Sequence, residues 1–293
     1  MSNLRLTNCP YCGEFGDLYF ATFSRSYYRC SVCHLIYSDM KNSYDDVVDT
    51  YRENYFDKYS ADQLDERRDR LYGHILNVID KKRQVGQLLD VGTGCGFFLV
   101  AAKERQWEVK GVEPSIQSVD VARGQNGLDV FYGTLGQYDG NGQFDVITFI
   151  NVLDHSTLPW LEINRASELL RPGGLIYLRF PNGSLHSRIY LIAHKLGLSN
   201  SLRKFLVFHT YSFTPSYIRR LLHDHGFVQT TIFNSPPSEG DPHKLFPNPI
   251  FAIYVKKLMY SFAKCIDTMS RKQLFLGTSL EVTAIKSEYP STC

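Results

Sequence analysis

Residues 88–98 read Leu-Leu-Asp-Val-Gly-Thr-Gly-Cys-Gly-Phe-Phe, and they leave this chain few folds to choose from. Leu88 and Leu89 end a buried strand with Asp90 at its carboxyl end. Gly92, Gly94 and Gly96 turn the chain sharply, and an apolar helix follows from Phe97. Glycine at three alternate positions lets the backbone bend and approach a ligand where a Cβ would collide. A strand, a glycine turn and a helix in that order build a nucleotide-binding crevice at the carboxyl edge of a parallel sheet.

The spacing also bears on which nucleotide is held. A dinucleotide fingerprint reads G-x-G-x-x-G, with a pyrophosphate on the helix N-terminus. Here the pattern is D-x-G-x-G-x-G, and Asp90 places a carboxylate where a pyrophosphate would want a donor. A cofactor with no phosphate and a positive sulfonium fits better. About 20 residues on, Val109-Lys110-Gly111-Val112-Glu113 ends a second strand on an acid suited to ribose hydroxyls. These features point to S-adenosylmethionine, with a dinucleotide as the competitor.

Four of the seven cysteines fall into two pairs, Cys9-Pro-Tyr-Cys12 and Cys30-Ser-Val-Cys33, separated by seventeen residues. That spacing is a zinc-site spacing and not a disulfide framework. Cys9, Cys12, Cys30 and Cys33 would complete a closed tetrahedral shell with no place for water, so the zinc holds structure and does no chemistry. Leu18 to Phe23 and Tyr27 to Arg29 between the pairs read as the short strands of a zinc ribbon.

Further strands follow. Phe144 to Ile150 is an apolar run leading into Asn151-Val152-Leu153-Asp154-His155, and a turn at Arg171-Pro-Gly-Gly174 precedes Leu175 to Phe180. Taken in order, these segments resemble the class I S-adenosylmethionine-dependent methyltransferases, in the branch of the ubiquinone-biosynthesis O-methyltransferases whose fourth strand ends in V-L-E-H. This chain has Val152-Leu153-Asp154-His155, with Asp in place of Glu. The resemblance implies an α/β fold: a Rossmann-like, seven-stranded, mostly parallel sheet preceded by the small zinc ribbon. It covers residues 85–235 firmly and the last strand near 279–287 more weakly. With the resemblance, Asp90, Gly92, Gly94, Gly96, Glu113 and Asn151 are assigned to the cofactor. Tyr55, with Tyr51, matches a "Y…YF" segment lying across the cofactor mouth in zinc-ribbon relatives; the other reading is that these aromatics fix the ribbon to the main domain. The passage His209-Thr-Tyr-Ser-Phe-Thr-Pro215 resembles one bordering the acceptor pocket.

A hydroxyl acceptor must lose a proton as it attacks, which calls for a base titrating near neutrality. His155, at the end of the fourth strand, is the first candidate and His209 the second. Asp154 would orient His155 or help hold a divalent ion, as acid-plus-histidine pairs do in some relatives. No N-P-P-Y or D-P-P-Y follows the fourth strand, and no cysteine stands there. An oxygen acceptor on a small molecule is therefore expected, with carbon or amine of a sugar behind it; a sugar or glycan precursor is what the resemblance to zinc-ribbon methyltransferases implies.

The net charge of +2 conceals an asymmetry: residues 1–182 carry 19 Lys/Arg against 24 Asp/Glu, and residues 183–293 carry 13 against 6. A basic carboxyl part suits an anionic acceptor or an anionic surface, or is an ordinary solvated face. No apolar run reaches the ~20 residues that span a bilayer, and Met1 to Cys9 lacks the apolar core of a signal peptide, so the expected location is cytoplasmic. The expected organisation is a ribbon over 1–40, a connector and leading helix over 41–84, and a methyltransferase domain over 85–293 with insertions at 183–212 and 235–276. Within the second insertion, Ile250 to Ile266 makes an apolar stripe opposed by Lys256, Lys257 and Lys264. It reads as a lid or an in-plane membrane contact, or as a helix that buries its stripe in its own protein, and the last is the commoner outcome. Two rival classes are an RNA methyltransferase with a zinc module, disfavoured by a ribbon holding few basic residues (Arg5, Arg25, Arg29), and a non-catalytic binding protein, disfavoured by the intact acid and glycine set.

Overall fold

The protein is seen in a computed structural model that describes residues 7–22, 25–39, 69–139, 144–202, 206–237, 249–270 and 274–288. In chain order the elements begin with β1 (Thr7–Asn8), β2 (Phe15–Ala21), β3 (Ser26–Cys30) and β4 (Ile36–Ser38). Then come α1 (Asp69–Asp80), β5 (Gln87–Val91), α2 (Phe97–Glu104), β6 (Glu108–Glu113), α3 (Ile116–Gly124), β7 (Val130–Tyr132) and β8 (Phe144–Ile150). They continue with α4 (Pro159–Leu169), β9 (Leu170–Pro181), α5 (Gly183–Lys195), α6 (Ser199–Leu202) and β10 (Tyr211–Ser212). The last are α7 (Pro215–Asp224), β11 (Phe227–Asn234), α8 (Pro249–Met269) and β12 (Ser279–Lys286).

The main sheet has seven strands in the order β11-β12-β9-β8-β5-β6-β7. Every pairing is parallel except the two made by β12. Strand order reverses between β5 and β8, so a crevice opens at their carboxyl ends. The strands are apolar on both faces because helices cover both. Leu88, Val146, Leu175 and Tyr177 face α1, α2 and α3, while their neighbours Leu89, Ile147, Ile176 and Leu178 face the other way, toward α4, α7 and the ribbon.

The ribbon is not a tethered appendage. Its sheet has five strands, β1-β2-β3-β4-β10, and the fifth comes from the carboxyl half of the chain, with Tyr211 opposite Tyr37 and Ser212 opposite Ile36. Cys9, Tyr28, Cys30, Cys33, Leu35 and Tyr37 belong to the same buried cluster as Phe149, Leu178 and Tyr217. A second seam joins Phe20 and Tyr27 to Tyr190 of α5 and to Phe208, with ring centroids of Phe20 and Tyr27 4.8 Å apart. Strand pairing across 170 residues of sequence has no local signal, and the fifth strand is the main feature the sequence did not suggest.

Smaller differences have local causes. β9 starts at Leu170, ahead of the expected Leu175, because Phe144 pairs with Leu170 before the turn at Gly173 shifts the register. The leading helix expected within 41–84 is described from Asp69 to Asp80. Thr214 caps α7, its hydroxyl accepting from the Tyr217 N–H at 3.1 Å, with Pro215 at the first helical position. The stripe of α8 behaves contrary to the commoner expectation. Ala263 and Asp267 are buried, whereas Tyr254, Leu258, Phe262 and Met269 are 60–76% exposed. Small Ala263 lets the helix come close to β11, where its carbonyl accepts from Asn234 Nδ2 at 3.3 Å.

Candidate functional site

A cleft lies at the carboxyl ends of β5, β6 and β8, at the strand-order reversal. Gly92, Glu113, Asn151, Leu135, His155 and Glu162 line it, and among the described residues no Lys or Arg does. The turn beneath it needs its glycines: Gly92, Gly94 and Gly96 all have positive φ (68°, 56° and 84°), and a Cβ on Gly96 would sit 2.2 Å from Leu128 Cδ1.

Three acids surround this turn and cleft. Glu113 holds the turn, accepting from the Gly94 N–H at 2.8 Å and the Ser115 N–H at 2.9 Å. Burial pushes its carboxyl up to about 7 against those two hydrogen bonds. Asp90 lies below the turn, does not line the cleft, and accepts from Thr148 Oγ1 at 2.5 Å. Burial raises it to about 7, opposed by hydrogen bonds from Thr148 and Thr93. Glu162, in the first turn of α4, has Oε2 buried without a hydrogen-bond partner, and burial alone raises it to about 7. Carboxyls raised by desolvation become better placed as anions when a cation arrives, so this cleft suits a positive ligand and opposes a phosphate.

Asn151 takes a left-handed backbone (φ 56°), and its side-chain oxygen accepts from Arg179 Nη1 at 2.5 Å. Arg179 is 5% exposed and also donates through Nε to Ser235 Oγ at 2.9 Å. It therefore fixes one cleft wall from β9 and the end of β11.

At the mouth, Asp154, His155 and His209 meet. The two imidazole centroids are 3.9 Å apart. Asp154 Oδ2 is 3.4 Å from His209 Nε2 and 3.8 Å from His155 Nε2. Asp154 is 2% exposed and neither carboxylate oxygen has a hydrogen bond, while both histidines stay about a third exposed. Their ligand atoms lie within 4.8 Å of one another, a spacing that could hold a metal ion. His209 is brought there by β10: the Ser38 N–H donates to the Thr210 carbonyl at 3.0 Å, and the Tyr211 hydroxyl donates to the Thr157 carbonyl at 2.9 Å.

The four ribbon cysteines form a second cluster with all sulfurs within 4.8 Å. Cys9–Cys33 and Cys12–Cys30 sulfur separations are 3.6 and 3.5 Å, near the roughly 3.8 Å edge of a tetrahedron with 2.3 Å zinc–sulfur bonds. The residue after each C-x-x-C is left-handed, Gly13 at φ 77° and His34 at φ 62°. In the second knuckle the Val32 and Cys33 N–H groups both donate to Cys30 Sγ at 3.4 Å. Such donors support thiolate charge, so the donor set fits a tetrahedral soft cation.

A family model described as a methyltransferase domain matches residues 64–232. The chain belongs to that family. Among curated relatives, it is 30% identical over 114 residues to a ubiquinone biosynthesis O-methyltransferase of Colwellia psychrerythraea, covering 36% of this chain and 46% of that protein. It is 27% identical over 124 residues to one of Azoarcus sp., covering 40% and 53%. The chain thus spans about half the length of these curated relatives. Among solved structures, magnesium protoporphyrin IX methyltransferase of Synechocystis with bound S-adenosylhomocysteine matches with a TM-score of 0.54 at 15% identity, covering 82% of this chain and 98% of that one. At that identity the likeness establishes the shared class I methyltransferase fold.

Within the methyltransferase domain, Gly92, Glu113, Asn151 and His155 line the cleft, Gly94 and Gly96 shape its floor from behind, and His209 joins at the mouth. Tyr55 and Tyr51 lie outside the described residues. Sequence reading passed over Glu162, Arg179 and Thr148. Arg179 did leave a sign: a lone cation inside the apolar run Leu175 to Phe180 must be held by something. Glu162 sits in an ordinary helical first turn and left none.

Proposed function

We propose that this methyltransferase-domain protein transfers the methyl group of S-adenosylmethionine to an oxygen of a small-molecule, sugar or glycan-precursor acceptor. The observation that carries the reading is the cleft itself, lined among the described residues by carboxylates and by no Lys or Arg, with a histidine pair on a buried aspartate at its mouth. S-adenosylmethionine supplies an activated methyl group with its own leaving group, so little covalent help is needed from the protein. The chain's residues are left to hold, align, exclude water and take a proton.

Glu113 and Asn151 serve the adenosine end, and the Gly92 to Gly96 turn permits close backbone approach. Glu162 supplies the negative charge that a sulfonium or ammonium group would pair with. His155 is the base, His209 its neighbour across the acceptor entrance, and buried Asp154 stabilises the imidazolium that forms. The excess of Lys and Arg over residues 183–293 favours an anionic acceptor. In the ribbon, Cys9, Cys12, Cys30 and Cys33 hold a structural Zn²⁺.

The test pairs calorimetry with turnover. S-adenosylmethionine should bind and NAD should not. His155→Ala should abolish labelled methyl transfer to fractionated sugar nucleotides and lipid-linked intermediates, with cofactor affinity within a few fold of the parent. Near-normal turnover in that variant removes His155 from the mechanism. A second role for Asp154, His155 and His209, as ligands of a divalent ion, is favoured by the two unbonded Asp154 oxygens. Activity lost to chelation and restored by Mg²⁺, with ribbon zinc retained, would select that role.

A further inference from the structure

We propose that the outward face of α8 docks this protein on an anionic lipid surface. This rests on the helix alone and not on the methyltransferase reading. Tyr254, Leu258, Phe262 and Met269 are 70%, 72%, 60% and 76% exposed. At 3.6 residues per turn they fall, with exposed Cys265, within roughly 80° of one another. Met259, 44% exposed, widens the patch on one side. The 21-residue helix thus carries, from Tyr254 to Met269 and along about 23 Å, an apolar band turned to solvent, where large exposed patches mark interaction sites. The opposite face is already committed, with Ala263 and Asp267 buried and the Ala263 carbonyl held by Asn234.

Charge decides the occupant. Exposed Lys257 and Lys264 run along the other flank of the band. The one acid of the helix, Asp267, is buried on the far side. A second copy meeting this face would bring lysines against their own counterparts, with no carboxylate from the helix to receive them. Phosphate headgroups meet the same flank with the opposite sign, while the apolar band enters the acyl boundary. The excess of 13 Lys/Arg over 6 Asp/Glu across residues 183–293 adds attraction of the same sign. The helix is not a span: no helix among the described residues is long and apolar enough to cross a membrane.

The docked helix is connected to the cleft. Asn234 holds Ala263, adjacent Ser235 holds Arg179, and Arg179 holds Asn151 on the cleft wall. Docking through α8 would therefore set the cleft at a fixed relation to the lipid surface.

The experiment floats the full chain with vesicles of phosphatidylcholine alone or mixed with phosphatidylglycerol. Binding is expected to the mixed vesicles, falling as salt rises. Leu258→Glu with Phe262→Glu should weaken it by at least about a hundredfold, and Lys257→Glu with Lys264→Glu by at least about thirtyfold. All four side chains are exposed, so melting temperature and S-adenosylhomocysteine affinity should match the parent and exclude misfolding. Absence of flotation with either vesicle, or flotation indifferent to these substitutions, overturns the proposal. So does a concentration-dependent dimer, seen by sedimentation and dissociated by Leu258→Glu with Phe262→Glu, which would assign the face to a second copy. Failure of cofactor binding in the parent chain would sink the methyltransferase reading and leave this one standing.

Discussion

Two clusters among the described residues could hold a metal, and they are built in opposite ways. The four ribbon thiols come from two tight knuckles, each fixed by a left-handed residue directly after its second cysteine. Three of the four are buried, and the set closes on itself with no place for solvent or substrate. Asp154, His155 and His209 come instead from a strand end and from a segment that reaches the cleft only because β10 pairs with the ribbon. Their carboxylate is buried and unbonded, and their imidazoles stay partly open. A closed, self-sufficient shell stores stability, while an open, under-satisfied one leaves capacity for chemistry.

The largest test of that contrast is Cys30→Ser. Loss of one ligand should release zinc and destabilise the protein by at least about 4 kcal/mol, read as a fall in melting temperature together with metal stoichiometry. An unchanged melting temperature with altered turnover would erase the distinction between the clusters. Next is His155→Ala, expected to cost about 10²–10⁴ in rate with melting temperature and zinc content unchanged. Third, Arg179→Met should free Asn151 and leave Ser235 without its donor. Cofactor affinity should then drop about tenfold, as for a lost charged hydrogen bond, measured by calorimetry.

The smallest effect is a pH trend. Burial raises Asp90, Glu113 and Glu162 to about 7. A carboxyl raised in the folded state favours folding below its unfolded value and loses that contribution as pH climbs through the folded value. The unliganded protein should therefore lose melting temperature between about pH 4 and 7. S-adenosylmethionine differs from S-adenosylhomocysteine by a positive charge at sulfur. Its affinity advantage should grow as pH rises through 7, by a few fold. Glu162→Gln should flatten that growth, and a ratio independent of pH in the parent would remove the acids from cofactor recognition.

What could be read in advance follows the distance between interacting residues. Asp90 to Gly96, the strand ending in Glu113 and the two C-x-x-C pairs are local, so a strand, a turn or a knuckle shows in a few neighbouring letters. The seven-stranded sheet was implied by the family resemblance that these motifs, with the later strands, carry. β10 could not be read, because a two-residue strand has no periodicity and its partner lies 174 positions away. His209 was reached through resemblance, and its neighbour Asp154 through adjacency to His155. Glu162 was missed since an acid in a helical first turn is ordinary at the surface. For α8 the periodicity revealed an apolar stripe without saying which face would be buried. Ala263 and its bond to Asn234 decided that.

Because β10 completes the ribbon's sheet, the two parts cannot be traded as separable cassettes. Cutting the chain after residue 40 would strip Tyr211 and Ser212 of the partner strand they have among the described residues and leave the approach to the cleft without its outer support. Grafting a ribbon from a relative would import a new edge for that approach and with it a different tolerance for acceptor shape. Evolution of specificity here can therefore act through the amino-terminal 40 residues, far in sequence from the methyl-transfer chemistry they would retune.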